Sequence, residues 1–300
     1  MNKNIEFTSQ GATIRGLLLL PDDNTTNCPI VIMAHGFSTS YKMTADKYAE
    51  EFRKAGFAVI LYDHRNLGTS DGEPRGEVNY AIQARGYIDC MDMAEQMREV
   101  DASRMALWGC SSSGRLAYIV SSIDSRPKAI VAQVPALGDQ MSSELENEEA
   151  FAYNREVILS DDISSLEHVV AGPIAVVSRD QEQMPSFLHH STAADWFLEF
   201  GERPGTGWKN MVTIARVVDP YGFHPAHCVK HVSSSVMFVV ADDEEIEGAN
   251  PGVVKEVFDH IEQPKEWESI TGGHFGLLHY PSETFDHVSR KEVEFLKKYL

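Results

Sequence analysis

Apolar residues fall along this chain in short unbroken runs set between amphipathic stretches. Ile30–Ala34 (IVIMA), Ala58–Tyr62 (AVILY) and Val236–Ala241 (VMFVVA) contain no polar position, the pattern of strands buried on both faces. Met105–Gly109, Ala129–Val134 and Glu266–Ile270 read as three more strands. Between them, Met43–Ala55, Tyr80–Arg98, Ser112–Ser122, Val253–His260 and Ser282–Tyr299 carry helical spacing, with Tyr48 and Phe52 on one side of the first and Gly56 stopping it. Upstream, Ile5–Thr8, a turn at Gly11 and Thr13–Leu20 predict a β-hairpin, ended by Pro21 and the polar stretch Asp22–Asn27. Strand and helix in steady alternation predict an α/β fold with a mostly parallel, doubly wound sheet.

The rhythm breaks after Pro135 and resumes at Val236. In between, aromatics cluster over Phe187–Phe200 and a Gly/Pro stretch covers Gly201–Gly207. The expected organisation is one core, residues 1–137 and 231–300, interrupted by an inserted helical cap at 138–230. Segments inserted at such a point roof the ligand crevice at the carboxyl ends of the strands.

Charge narrows the partners. Asp and Glu number 45 against 26 Lys and Arg, a formal net charge of −19. Such a surface repels phosphate backbones and anionic lipid, so nucleic acid and membrane surfaces are not expected as partners. The four cysteines, Cys28, Cys90, Cys110 and Cys228, are scattered without a CxxC pair, which speaks against a zinc site or a disulfide framework. MNKNIEFTSQ lacks the apolar core of a secretory signal, and Leu17–Leu20 is far too short to span a bilayer. A cytoplasmic protein is expected, with a homodimer compatible.

Three segments carry chemistry. In Met105-Ala-Leu-Trp-Gly-Cys-Ser-Ser-Ser-Gly114 a strand meets a helix through a tight turn at Ser111, the setting of the G-x-S-x-G nucleophile elbow. Gly109 supplies the first small residue; Ser113 stands where the second glycine belongs, and Gly114 follows. Ser112 and Ser113 are alternative nucleophiles, but only Ser111 has Gly two positions before it. A plain helix N-cap is the competing reading. Ala34-His-Gly-Phe37 ends the first parallel strand, and an acyl-transfer site needs two backbone N–H groups aimed at the developing oxyanion. Phe37 and Ser112 are the candidate donors; His35 reads as a buried structural imidazole. Thr271-Gly-Gly-His-Phe-Gly276 follows the last strand and offers His274 as base, with His279 the nearest competitor and His287 on the closing helix. An acid that fixes the imidazole tautomer is expected between them, where Asp242-Asp-Glu-Glu-Ile246 follows a strand.

Taken together, HGF, the loop Asp63-His-Arg-Asn-Leu-Gly-Thr-Ser-Asp-Gly, GCSSSG and the late GGH resemble the α/β-hydrolase superfamily over the whole chain apart from the cap. Within it the chain is similar to the Xaa-Pro dipeptidyl-peptidase-like and dienelactone-hydrolase-like branch, which includes fungal polyketide transferase and thiohydrolase proteins. In that branch the acid sits three residues past the small residue ending its strand, with an aliphatic after it. The resemblance therefore implies Glu244, with Ile246 as the aliphatic; the branch usually has Asp there, and Asp243 is the runner-up.

The expected activity is that of a serine hydrolase cleaving a carboxylic ester or thioester of a small molecule, with no cofactor and no metal. Acyl transfer to an alcohol or amine, and a non-catalytic ligand-binding role, are the alternatives. Xaa-Pro peptidases usually carry extra recognition domains for which this chain has no room, so peptidase activity ranks low. Trp196, Phe197 and Phe200 are the candidate substrate-binding residues. Asp63 and Arg65 are expected to brace their loop, and Cys110 to be a structural part of the elbow.

Overall fold

The computed structural model describes residues 2–22 and 26–300, so part of the polar stretch after Pro21 lies outside the described residues. Strands β1 (Asn2–Ser9) and β2 (Ala12–Leu19) form the hairpin. Then come β3 (Cys28–Ala34), helix α1 (Ala45–Lys54), β4 (Ala58–Tyr62), a two-residue β5 (Glu77–Val78), α2 (Tyr80–Ala94), β6 (Val100–Cys110), α3 (Ser112–Ile123) and β7 (Pro127–Gln133). After the insertion the chain returns with β11 (Ser235–Ala241), α6 (Pro251–His260), β12 (Lys265–Ile270) and α7 (Glu283–Tyr299).

The main sheet runs β1-β2-β4-β3-β6-β7-β11-β12. From β4 to β12 every pairing is parallel; β1 and β2 are added antiparallel at one edge. The unbroken apolar runs divide by alternation between two cores. On β3, Ile30, Ile32 and Ala34 face the side covered by α2, α3 and α6, while Val31 and Met33 face α1 and α7. Helix α2 stops at Ala94, short of the expected Arg98, because the tighter bonds Gln96 N to Met93 O and Met97 N to Ala94 O end it and Val100 is drawn into pairing with Cys28.

The insertion contains helices α4 (Glu148–Leu159) and α5 (Ser191–Gly201), and also strands β8 (His168–Val177), β9 (Ser186–Leu188) and β10 (Val212–Val217). These strands join β5 in a second sheet of order β5-β10-β8-β9. Helix α5 is packed into the α1/α7-side core through Ala193, Trp196, Phe197 and Phe200, and Trp196 Nε1 donates to Leu278 O at 3.1 Å. No helix among the described residues is long and apolar enough to cross a membrane.

A carboxyl group is buried under the sheet's carboxyl end. Glu292 of α7 is fully enclosed and accepts from Gln133 Nε2 at 2.7 Å and, more weakly, from Trp108 Nε1 at 3.4 Å. Desolvation pushes its carboxyl up to about 8, from an ordinary value of 4.5. The folded state therefore holds a proton that the unfolded chain has released, so stability from this group is greatest below pH 4.5 and is lost as pH rises through about 8. Glu292→Gln keeps the shape and removes the ionisation. The variant should match the parent near pH 5 and exceed it by roughly 4 kcal/mol near pH 8.5, as read from denaturant melts at both pH values.

Candidate active site

The elbow is built where β6 runs into α3. Ser111 sits at φ 55°, ψ −118°, a conformation that non-glycine residues adopt only when their surroundings force it. Two close approaches do the forcing. A Cβ on Gly109 would lie 2.2 Å from Ser113 O, and one on Gly36 would lie 3.0 Å from Cys110 O and 3.2 Å from Ser111 Cβ. Both positions must stay bare for the strand, the turn and the β3 loop to meet.

Ser113, in the place of the second glycine, is fully buried and employed. Its Oγ donates to His35 O at 2.6 Å and accepts from His64 Nε2 at 2.9 Å. That leaves His64 Nδ1 without a hydrogen, consistent with burial pulling its pKa down to about 3. His35 is likewise buried, donates through Nε2 to Met43 O at 2.8 Å, and is pushed by burial down to about 4. Both rings are neutral fixtures of the frame. His64 was missed by sequence reasoning; its only signal was its place in the Asp63-His-Arg loop.

His274 connects the rest. Its Nε2 lies 2.9 Å from Ser111 Oγ, and its Nδ1 lies 2.9 Å from both carboxylate oxygens of Glu244. The His274 and Glu244 side chains are almost wholly enclosed, 4% and 1% exposed. An ionised carboxylate only accepts, so Nδ1 carries the hydrogen and Nε2 is left to accept from the Ser111 hydroxyl.

The acidic run after β11 divides its labour. Exposed Asp243 accepts from the backbone N–H of Gly272 and Gly273 at 3.0 Å, and these bonds hold its pKa below the usual carboxylate range. Glu245 accepts from His274 N at 2.7 Å and from Thr192 Oγ1 at 2.6 Å. Asp243 and Glu245 thus position the loop while Glu244 meets the imidazole. Gly273 sits at φ 67°, where a side chain would be strained, and a Cβ there would press on Glu245 Oε2 at 2.4 Å.

The backbone N–H groups of Phe37 and Ser112 donate to no other described residue. Ser112 opens α3, where helical N–H groups have no partner within the helix. Both residues border Ser111, and an open cleft of about 360 Å³ of empty space, mouth included, stands over it, walled by Phe37, Leu188, Trp196, Phe197, Ile246 and Phe275. Trp196 and Phe197 line this cleft. Phe200 does not: it is buried behind Trp196, ring on ring at 5.4 Å, with His279 at its edge. The aromatic spacing of α5 could not distinguish its cleft side from its packing side. Leu188 and Phe275 were missed, although Phe275 directly follows His274. His279 touches Phe200, and His287 binds Glu268 at 2.6 Å; neither is bonded to Ser111.

Asp63 braces its loop through Tyr41 N at 2.9 Å, Thr69 N at 2.8 Å and Thr69 Oγ1 at 2.9 Å. Arg65 makes no hydrogen bond to the loop among the described residues, its Nε being buried without a partner, and its charge bears on Glu77 instead. Arg75 braces the loop in its place, donating to Ser70 O and to Gly68 O. The four cysteines are buried and none is in a disulfide; burial pushes the Cys110 thiol well up, keeping it neutral beside Ser111. Metal-capable donors gather on the described surface at His189, His190 and Glu247, all within 4.8 Å of one another. None of the three is bonded to Ser111, His274 or Glu244.

Known proteins resemble this chain along most of its length. The sequence profile of the X-Pro dipeptidyl-peptidase (S15 family) matches residues 10–199. Quorum-quenching protein AidA of Acinetobacter baumannii (strain MDR-ZJ06) is 24% identical over 98% of this chain and 94% of its own. Thiohydrolase apmlB of Arthrinium phaeospermum is 28% identical over 99% and 97%, and polyketide transferase af380 of Aspergillus fumigatus 27% over 100% and 99%. The crystal structure of the alpha/beta hydrolase GrgF from Penicillium sp. sh18 superposes with a TM-score of 0.73 at 22% identity, covering 100% of this chain and 99% of that one. The fold is that of the α/β hydrolases.

Proposed function

The chain belongs to the X-Pro dipeptidyl-peptidase (S15) family, and from that membership we propose that it is a serine hydrolase cleaving carboxylic ester or thioester bonds through an acyl-enzyme. One observation carries the reading: His274 stands between Ser111 Oγ and the Glu244 carboxylate, 2.9 Å from each, with Ser111 held in a strained turn. A serine hydroxyl is a weak nucleophile until a positioned base accepts its proton.

In the proposed reaction Ser111 Oγ attacks the substrate carbonyl carbon as its proton passes to His274 Nε2. The N–H groups of Phe37 and Ser112 hold the oxyanion. Collapse expels an alcohol or thiol, which takes the proton from His274; water, activated by the same ring, then releases the acid. Glu244 keeps the tautomer and offsets the imidazolium charge. The segment 138–230 serves as the cap, with α5 laying Trp196 and Phe197 over an apolar cleft suited to a small or medium acyl group. The resemblance to a thiohydrolase supports the thioester as substrate beside the ester. A relative named for polyketide transfer supports acyl transfer as a second reading; absence of any transfer product at saturating alcohol or amine acceptor would dismiss it.

Labelling with a fluorophosphonate probe, followed by peptide mass spectrometry, tests the proposal. An adduct is expected on Ser111 and is expected to vanish in His274→Ala. A label on Ser112 or Ser113, or none on folded protein, would remove the assignment.

A further inference from the structure

We infer that the cavity lined by Arg115, Arg216 and Asn154 is an anion site that takes a phosphate-type oxyanion. The cavity encloses about 1240 Å³ of empty space, mouth included, beside the start of α2, the elbow helix α3, helix α4 and strands β8 and β10. Arg115 lies one helical turn after Ser111, whose carbonyl accepts its backbone N–H at 3.0 Å. Nothing in the Ser111–His274–Glu244 reaction uses this cavity.

The argument rests on unmatched donors. Acidic side chains outnumber Lys and Arg 45 to 26 in this chain, and Arg15, Arg53, Arg85, Arg104 and Arg126 all sit in ion pairs. Arg115 and Arg216 make none with a described residue. Arg115 Nε and Asn154 Nδ2 are both buried, both donors, and both without a hydrogen-bond partner among the described residues, yet they line the same cavity. Such groups ordinarily cost free energy unless something accepts from them. The Arg115 guanidinium lies 5.6 Å from the Tyr80 ring centre in the cavity wall. Burial and the nearby positive charge of Arg216 both pull its pKa down, so two like charges confront each other across the space.

Asp219, the one carboxylate among the lining residues, does not relieve them. It is occupied by the backbone N–H groups of Tyr221, at 2.9 Å, and Phe223. Tyr153, also in the wall, spends its hydroxyl on Val218 O at 2.9 Å. Two guanidinium groups and an amide side chain lining one space suit a phosphate group, whose oxygens accept from several N–H donors at once. Where that phosphate belongs to the substrate, as in an acyl thioester on a phosphorylated carrier, the inference rests on the proposed function; free phosphate acting as an effector would use the same donors.

Calorimetric titration of the full chain carrying Ser111→Ala, which cannot turn substrate over, tests both. Inorganic phosphate should bind, and adding Arg216→Ala, an exposed position, should weaken it about 10-fold or more. A short-chain acyl phosphopantetheine thioester should bind about 10-fold tighter than its dephosphorylated pantetheine counterpart, and the difference should vanish with Arg216→Ala. Phosphate binding that depends on Arg216 without that preference assigns the site to free phosphate. No phosphate binding below about 10 mM, or binding indifferent to both Arg216→Ala and Arg115→Gln, overturns the site. These are equilibrium readings, so a Ser111 that failed to label would leave them interpretable.

Discussion

Ser111→Ala is expected to lower kcat on a short-chain p-nitrophenyl ester or acyl thioester by about 10⁴-fold or more, equivalent to roughly 5.5 kcal/mol of lost transition-state stabilisation. The size follows from the role. Removing the hydroxyl removes the acyl-enzyme route altogether, and only water held near the Phe37 and Ser112 N–H groups remains to attack. KM should change little, because the walls of the cleft, Trp196, Phe197 and Phe275 among them, are untouched. The fold should be untouched too: Ala at position 111 inherits the same positive φ that Ser already endures, so melting should shift by no more than about a degree or two. Steady-state kinetics beside a thermal melt checks both. A folded variant retaining full turnover would return the chain to the ligand-binding reading.

Much of this was legible in the sequence because burial on two faces leaves a coarse signature. β3, β4 and Val236–Ala241 of β11 are wholly apolar since neither face of the sheet reaches water, and Gly109 marked a turn where a Cβ would collide with Ser113 O. The insertion was harder. β8 reads HVVAGPIAVV, yet Val169 and Val170 are each 59% exposed, so apolar content there does not report burial. Its strand β10 pairs with β5, a two-residue element more than 130 positions upstream (Thr213 with Glu77), which no local periodicity announces. The loop after β4 failed in one detail for a related reason. Arg65 and Arg75 are both plausible braces by type, and only the path of the chain decides that Arg75 reaches the carbonyls of Gly68 and Ser70.

The acidic run shows the same limit and gives the second large prediction. Four consecutive acids follow β11, and sequence could order Glu244 before Asp243 only by resemblance. In the fold three of them have different partners: backbone N–H groups for Asp243, the imidazole for Glu244, and His274 N for Glu245. Glu244→Gln should lower kcat by about 10³- to 10⁴-fold with little change in KM. The amide can turn its N–H₂ toward Nδ1, which then keeps its lone pair and forces the hydrogen onto Nε2, where it meets Ser111 Oγ instead of accepting from it. Asp243→Asn should cost no more than about 10-fold, because the Asn carbonyl oxygen still accepts from Gly272 or Gly273 and the ring keeps its acid. Glu244→Asp should fall between, retaining the charge but withdrawing it by a methylene from an imidazole that now has two contacts at 2.9 Å. Measured side by side, a larger loss for Asp243→Asn than for Glu244→Gln would transfer the role to Asp243 and require the His274 loop to sit differently during turnover.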